Sequence, residues 1–324
     1  MKRVFIVGCP RSGSTWTSFM LSQHAQVATF QHAKIFAYLE SMQRWHANRA
    51  EGNFIINPHG GSEQSTEHNY MRLADAVPLD VLNPMLGSVA GGIMDRVGDL
   101  REQATVVVDK TPENVRQAQF ILDVLPDAHF LHIVRDPRSV FCSLRNASRS
   151  WASWQFPTHP IDGARFWRDD VEAALRIPEL TPNYHQVRYE DLRENGPVEL
   201  ARLMEWLGIE VDEAWCTDAL SNSSKEKLQP NRSLPADFVT KSTKGSWRDQ
   251  LSPRDARLME YMLADLMEDL DYEASQREHR SPPLRLGFHD GIRKGLSHLE
   301  RGARRVTQLA HWRWVGRKLE WLEP

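Results

Sequence analysis

The segment from Gly8 to Thr15 carries the residues of an anion-binding loop. It reads Gly8-Cys9-Pro10-Arg11-Ser12-Gly13-Ser14-Thr15, with a glycine at each end of a four-residue gap and hydroxyls after the second glycine. Backbone N–H groups at the start of a following helix would face an anion there, and the helix dipole would favour its charge. A triphosphate-binding loop carries a lysine where this chain has Ser14. The loop therefore predicts an anionic ligand and disfavours triphosphate chemistry.

A second candidate anion site follows another apolar segment. Arg135 comes directly after His129–Val134, and Ser143 follows it eight residues later. Because Asp136-Pro137 is typical of a helix start, the first helical turns would bring Ser143 back to the side of Arg135. A guanidinium and a hydroxyl could then bind one phosphate together.

Both segments resemble motifs of the sulfotransferases that use 3'-phosphoadenosine 5'-phosphosulfate (PAPS) as sulfuryl donor. The resemblance implies that the first loop binds the 5'-phosphosulfate of PAPS, and that Arg135 and Ser143 bind its 3'-phosphate. The implied cofactor-binding residues of the loop are Arg11, Ser12, Gly13, Ser14, Thr15 and Trp16.

Two further segments are similar to the same family. Val187–Leu192 resembles a strand end whose tyrosine, here Tyr189, lies near the nucleotide. The segment 241–247 resembles the loop that closes over the 3'-phosphate and adenosine, which makes Lys241, Lys244 and Trp247 candidate contacts. The usual Arg-Lys-Gly of that loop is replaced here by Thr240-Lys241-Ser242.

Sulfuryl transfer needs charge stabilisation and removal of a proton from the acceptor. Cationic side chains and loop amides can balance the charge, so we expect no metal ion. For the leaving oxygen we nominate Arg11 and Lys110, since Asp109-Lys110-Thr111-Pro112 resembles the lysine-bearing strand end of the carbohydrate and tyrosylprotein branches. The alternative for Lys110 is an ordinary contact with Asp109 at a helix start.

His32 is the predicted general base. It lies twenty-one residues after Arg11, where the tyrosylprotein branch has its catalytic glutamate. An ordinary histidine, with a pKa of about 6.5, is mostly neutral at cytoplasmic pH and can accept a proton. The alternative is a hydrogen-bonded pocket residue without a catalytic role. The reserve candidates for the base are His59, Glu63, His68 and Asp109.

The elements that must position these residues alternate between strands and helices. Predicted strands at 4–8, 105–109, 129–134 and 184–189 are separated by helical patterns, and polar residues follow each strand. This order predicts an α/β fold, a P-loop NTPase-like three-layer structure with a central parallel sheet flanked by helices. Ligands of such sheets bind beyond the carboxyl ends of the strands, where the candidate residues lie.

We expect a catalytic domain at 1–274 and a basic, tryptophan-containing extension at 275–324. Within the domain, residues 31–100 read as a helical and loop insertion that shapes an acceptor pocket. The extension carries eleven Lys and Arg against five Asp and Glu. It could pack on its own domain, form a homo-oligomer contact, or lie peripherally on an anionic membrane surface.

Composition excludes several classes of protein. With 324 residues, 41% hydrophobic and 26% charged, the chain is neither disordered, collagen-like nor a disulfide scaffold. The net charge of −3 argues against nonspecific nucleic-acid binding, so we expect no nucleic-acid partner. Three cysteines without close spacing favour the reducing cytoplasm, and no apolar stretch reaches the length of a membrane span.

The leading hypothesis is a PAPS-dependent sulfotransferase that uses a general base for in-line transfer to an acceptor hydroxyl. The acceptor would be a sugar, a glycolipid or a small-molecule alcohol, with the aromatic stretch 151–156 as one candidate lining. The alternatives are a P-loop kinase or NTPase in which Asp109 holds magnesium, and a non-catalytic nucleotide-binding protein of the same fold.

Overall fold

A computed structural model describes residues 1–48, 55–56, 71–152, 155–224 and 246–275. Met1–Glu273 forms one compact unit. Its strands are β1 (Lys2–Val7), β2 (Val27–Gln31), β3 (Ile55–Ile56), β4 (Met71–Arg72), β5 (Val106–Lys110), β6 (His129–Val134) and β7 (Tyr184–Arg188).

The described helices flank these strands. They are α1 (Ser14–Leu21), α2 (Ile35–Asn48), α3 (Leu73–Ala76), α4 (Leu79–Asp99), α5 (Ala118–Val124), α6 (Pro137–Arg149), α7 (Pro160–Leu175), α8 (Ile177–Leu180), α9 (Tyr189–Glu194), α10 (Gly196–Leu207), α11 (Glu213–Asn222), α12 (Trp247–Gln250), α13 (Pro253–Met262) and α14 (Ala264–Asp269). A 3-10 helix, Pro112–Gln117, joins β5 to α5.

The main sheet is parallel throughout, which confirms the predicted fold class. Its strand order is β2-β5-β1-β6-β7, so β1 lies between β5 and β6. The chain leaves β1 toward β2 and β5 on one side and later toward β6 and β7 on the other. At such a reversal, ligands of open parallel sheets bind beyond the carboxyl ends of the central strands.

The sequence missed β2 because the strand lacks a continuous apolar pattern. Only Val27 and Ala28 are buried, while the last three residues of this edge strand are half-buried. The other predicted strands are confirmed, with bounds that move by one or two residues. The most consequential shift is at β5, which extends through Lys110 and buries that lysine completely.

The two faces of the sheet bury alternating side chains, as expected for strands covered on both sides. Val4 and Ile6 pack toward α1, α10 and α11, whereas Phe5 and Val7 pack toward α2, α4 and α5. A third apolar cluster lies beyond the strand ends, among α6, α7, α13 and α14. The sheet edge that carries the candidate residues is therefore fixed by packing on several sides.

Where the structure describes the region 31–100, it is mostly helical, and part of it belongs to the core. On α4, Leu82, Leu86, Ala90 and Met94 form one buried stripe at four-residue spacing, which packs in the same cluster as Phe5. Ile55–Ile56 and Met71–Arg72 form a short antiparallel pair. The region thus supplies one layer of the domain, while its role at an acceptor pocket stays a prediction.

Two other features bear on the sequence analysis. Cys9, Cys142 and Cys216 are all free and buried. Within the described part of the chain, no helix combines the length and apolar character needed to cross a membrane. The extension at 275–324 lies outside the described residues except for Ser275, so its role stays a prediction.

His132 makes the stability of the fold depend on pH. It is fully buried in β6, with Nδ1 2.8 Å from the Tyr184 hydroxyl, and burial lowers its pKa to about 4. In the unfolded chain its pKa is about 6.5, so neutral His132 contributes full stability above that pH and loses it as the pH falls toward 4.

We expect this contribution to appear in a comparison of the protein with His132→Phe. The difference in unfolding free energy should grow in favour of the native residue by about 3 kcal/mol between pH 4 and 7, at 1.36 kcal/mol per pKa unit. Urea denaturation at several pH values measures it, and the contributions of other titrating groups cancel in the difference. A difference independent of pH would contradict this assignment.

Candidate active site at the strand ends

The loop after β1 adopts a backbone that exposes N–H groups to a ligand. Gly8, Arg11 and Gly13 all have positive φ, with values of 129°, 75° and 107°. Gly13 is the N-cap of α1, and because it has no side chain, it cannot cap the N–H groups of the first turn. The first N–H groups of an α-helix have no partner within the helix. This geometry suits an anion at Ser14, Thr15 and Trp16.

Gly13 is also needed for contact with Tyr189. A Cβ at Gly13 would overlap the Tyr189 ring, and the positive φ disfavours any side chain. We expect Gly13→Ala to lower the free energy of unfolding by roughly 2 kcal/mol and to weaken anion binding at the loop. Urea denaturation and nucleotide titration measure both effects. Gly92→Ala is the control, because a Cβ there meets no atom within 4 Å.

Arg11, Ser143 and Arg135 come together beside the loop, as the two motifs predict. The Arg11 Nε donates to the Ser143 Oγ at 3.0 Å, and the Arg135 Nη1 donates to the Arg11 carbonyl oxygen at 3.0 Å. The Arg135 guanidinium lies 4.4 Å from the centroid of the Tyr189 ring. Ser143 is brought there by α6, which begins with Asp136 as its N-cap.

The electrostatics of this cluster favour an anion. Burial, together with the positive charge of Arg135, lowers the pKa of Arg11 to about 10. Two guanidinium groups in one partly buried place repel each other, and a bound phosphate would reduce that repulsion. The Arg11 side chain contacts Ser143, so a residue proposed to bind the 5'-phosphosulfate lies next to a residue proposed to bind the 3'-phosphate.

Lys110 and His32 form a second cluster on the other side of the loop. The Lys110 Nζ lies 2.7 Å from the His32 Nε2, and the His32 backbone N–H donates to the Lys110 carbonyl at 3.2 Å. Lys110 is fully buried, whereas His32 is exposed. The loop connects to this cluster through the Gly8 N–H, which donates to the Pro112 carbonyl at 3.2 Å.

The pKa values of this pair are both lowered. The His32 ring loses part of its water and lies beside the positive charge of Lys110, and these causes lower its pKa to about 4. Burial lowers the pKa of Lys110 to about 8, while the Glu113 carboxylate acts in the opposite direction. At neutral pH, His32 is therefore neutral and Lys110 is mostly protonated, so the ammonium donates the hydrogen bond to Nε2.

Asp109, near the end of β5, accepts hydrogen bonds from two neighbouring side chains. Its Oδ1 accepts from the Thr111 hydroxyl at 2.6 Å, and its Oδ2 accepts from the Asn114 Nδ2 at 2.9 Å. Burial raises the pKa of Asp109 to about 6. Each oxygen thus accepts one hydrogen bond from the protein, which gives Asp109 a structural role at the end of β5. Among the described residues, no group of three His, Cys, Asp or Glu has metal-site geometry.

The remaining predicted contacts differ in how they are placed. The ring of Trp16 meets Tyr189 edge-on, with centroids 5.6 Å apart. Trp247 is buried, and its centroid lies 4.0 Å from the Arg138 Cζ, so it packs in the core of the third cluster. Its contact with the nucleotide stays a prediction. The candidates outside the described residues are Lys241, Lys244, His59, Glu63 and His68.

The buried polar contacts between Cys9 of the loop and α7 were not identified from the sequence. The Cys9 thiol hydrogen-bonds to the Asp170 carboxylate, which also accepts from the Arg116 Nε at 2.7 Å. Burial raises the pKa of Asp170 to about 6. A signal was present, since Asp170 interrupts the buried stripe of α7 between Trp167 and Ala174. These contacts tie the loop to α7 and help to set its backbone.

Comparison with known proteins places this geometry in a family. The model of the Sulfotransferase family matches residues 3–213. Protein-tyrosine sulfotransferase A of Caenorhabditis elegans is 24% identical over 215 residues, covering 65% of this chain and 50% of the relative. A protein-tyrosine sulfotransferase of Drosophila melanogaster is 25% identical over 146 residues, covering 44% of this chain and 25% of the relative. The matches thus span half or less of these curated relatives.

A solved structure shares the fold. The sulfotransferase domain of the Synechococcus PCC 7002 olefin synthase superposes with a TM-score of 0.53 at 20% identity. The match covers 84% of this chain and 95% of that domain. The phosphate-type loop, the Arg135 strand end and the Lys110 strand end all fall within the residues matched by the family model. The chain belongs to the sulfotransferase family.

Proposed function

We propose that this protein transfers a sulfuryl group from PAPS to an acceptor hydroxyl. The observation that carries the proposal is the arrangement of two cationic clusters on opposite sides of one anion-type loop. Arg11, Arg135 and Ser143 lie on one side, and Lys110 with His32 lies on the other. A donor that carries a 3'-phosphate at one end and a 5'-phosphosulfate at the other would offer negative charge to both clusters.

Each residue of the two clusters has a proposed role in donor binding or in the transfer step. The start of α1 and Arg11 would hold the 5'-phosphosulfate, while Arg135 and Ser143 would hold the 3'-phosphate. Lys110 would place its ammonium against the group that gains negative charge as the sulfur–oxygen bond to phosphate breaks. His32 would take the acceptor proton while the new oxygen–sulfur bond forms. No step in this scheme needs a metal ion.

The acceptor is proposed as a hydroxyl on a sugar, a glycolipid or a small molecule. His32 is an exposed residue, so an acceptor can approach it from solvent. The curated relatives are named for protein tyrosine, which makes a tyrosine peptide a necessary member of any acceptor panel. We also retain the cytoplasm as the proposed location.

Transfer of labelled sulfate from PAPS tests the proposal directly. The protein should bind PAPS without added metal and should label at least one member of a panel of sugars, lipids, alcohols and tyrosine peptides. Mass spectrometry of products formed in a cell extract extends the panel. PAPS binding without any transfer would favour a non-catalytic nucleotide-binding protein, and a magnesium-dependent thermal shift with ATP would favour a kinase.

A further inference from the structure

The hydrogen bond between Lys110 and His32 occupies the atom that a general base needs. The Lys110 ammonium lies 2.7 Å from the His32 Nε2. Neutral imidazole has one nitrogen with a free lone pair, and the other carries the ring proton. With the ammonium donating to Nε2, the ring proton resides on Nδ1. His32 therefore cannot accept a proton from an acceptor hydroxyl at Nε2 while this bond persists.

The backbone holds the two residues in place. Gln31 pairs with Lys110 in the β2–β5 register, and the His32 N–H extends that ladder to the Lys110 carbonyl at 3.2 Å. His32 itself has a φ of 54°, which turns the chain away from the sheet directly after this bond. The parallel pairing of the two strands thus keeps the backbones of Lys110 and His32 side by side.

We propose that the sulfuryl donor activates the base. The Lys110 ammonium donates to the lone pair of His32 Nε2 until the sulfonate of the donor binds the ammonium instead. His32 therefore cannot take the acceptor proton until the donor is bound. We call this control of His32 by Lys110 the gate. It rests on the proposed function and adds an order of events to it. In the protein without donor, the lysine keeps the base inactive.

The charges around His32 explain why an anion is the trigger. The positive groups that act on it are Lys110, Lys34 and Arg11, and the opposing carboxylate is Glu113. A second positive charge on His32 would be unfavourable in this surrounding. A sulfonate and its adjoining phosphate supply negative charge next to Lys110, so imidazolium becomes less costly.

The step balances in atoms and charge. The acceptor oxygen bonds to sulfur, and the bond from sulfur to the phosphate oxygen breaks with its electron pair on the phosphate. The acceptor proton moves to the His32 Nε2, while Lys110 stays protonated throughout. His32 then returns the proton to water as the product leaves, and Lys110 can bond to Nε2 again.

A titration of His32 by nitrogen NMR tests the gate without any acceptor. Protein labelled with 15N-histidine is measured free, with adenosine 3',5'-bisphosphate, and with a donor analogue whose bridging oxygen is replaced by methylene. The signal is assigned by its loss in His32→Asn. We expect the pKa of His32 to rise by ~2 units with the analogue, toward its ordinary value, and by less than ~1 unit with the bisphosphate.

Two variants distinguish the effect of the Lys110–His32 hydrogen bond on the pKa of His32 from the effect of nearby positive charge. In Lys110→Met, the pKa of His32 should already be raised by ~1 unit or more without donor, and the analogue should add little. Lys34→Met is the matched control, because it removes a nearby positive charge and leaves the bond to Nε2 intact. This control should keep the full response to the analogue.

The outcomes separate failure of the gate from failure of the proposed function. Calorimetric binding of the analogue with an unchanged pKa of His32 would overturn the gate and leave sulfuryl transfer standing. No binding of the analogue would overturn the proposed function and the gate with it. If Lys110→Met fails to fold, the comparison of free and analogue-bound native protein still decides.

Discussion

Replacing His32 with alanine is expected to reduce sulfuryl transfer ~100-fold or more, because general-base catalysis contributes roughly that much to turnover. Binding of adenosine 3',5'-bisphosphate should stay nearly intact, since the contacts of His32 are with Lys110 and not with the Arg135 cluster. The measurement combines initial rates of transfer from labelled PAPS with calorimetric binding of the bisphosphate.

Lys34→Ala controls for the His32 experiment. Lys34 is an exposed cation two residues away, and it has no assigned role in the reaction. Its variant should retain transfer close to that of the native protein. Full turnover in His32→Ala would move the base to another residue of the site.

Replacing Arg135 with alanine is expected to weaken binding of adenosine 3',5'-bisphosphate at least ~10-fold more than binding of AMP. A charge-assisted hydrogen bond contributes roughly 1.5–3 kcal/mol, and AMP lacks the phosphate that Arg135 would bind. Calorimetric titration with both nucleotides measures the difference. Arg149→Ala, which removes an exposed charge from the end of α6, is the matched control.

The two nucleotides also separate recognition from support of the loop. Arg135 donates to the Arg11 carbonyl, so its loss could disturb the loop as well as the 3'-phosphate contact. A disturbed loop would weaken both nucleotides equally, because both carry a 5'-phosphate. Equal losses would therefore contradict the 3'-phosphate role of Arg135. Arg135→Lys should give an intermediate loss, because lysine keeps the positive charge but lacks the paired N–H donors of the guanidinium.

The site was predictable where it depends on short segments of chain. A strand, a glycine-containing turn and a helix start are all local signals, and they identified the loop at Gly8–Thr15 and the strand end at Arg135. Parallel strands end at the same edge of a sheet, so the sequence also indicated that Lys110 lies near both. The family resemblance indicated Ser143, and helical periodicity explained why it returns toward Arg135.

What the sequence could not supply depends on distant pairing and on burial. His32 and Lys110 are 78 residues apart, and their hydrogen bond exists because β2 pairs with β5. The weak apolar pattern of β2 concealed that pairing. Trp247 shows the same limit, since its packing on Arg138 depends on how α12 meets α6.

The amino-acid sequence by itself indicated the parallel α/β fold and the cationic residues at the strand ends, because these follow from local periodicity and residue spacing, and its motifs indicated the family by their resemblance. Only the tertiary structure decided that Arg11 reaches Ser143, that Lys110 is wholly buried, and that its ammonium occupies the His32 lone pair. Hydrogen bonds and desolvation act between residues that folding brings together, and their geometry is set by packing across the sheet.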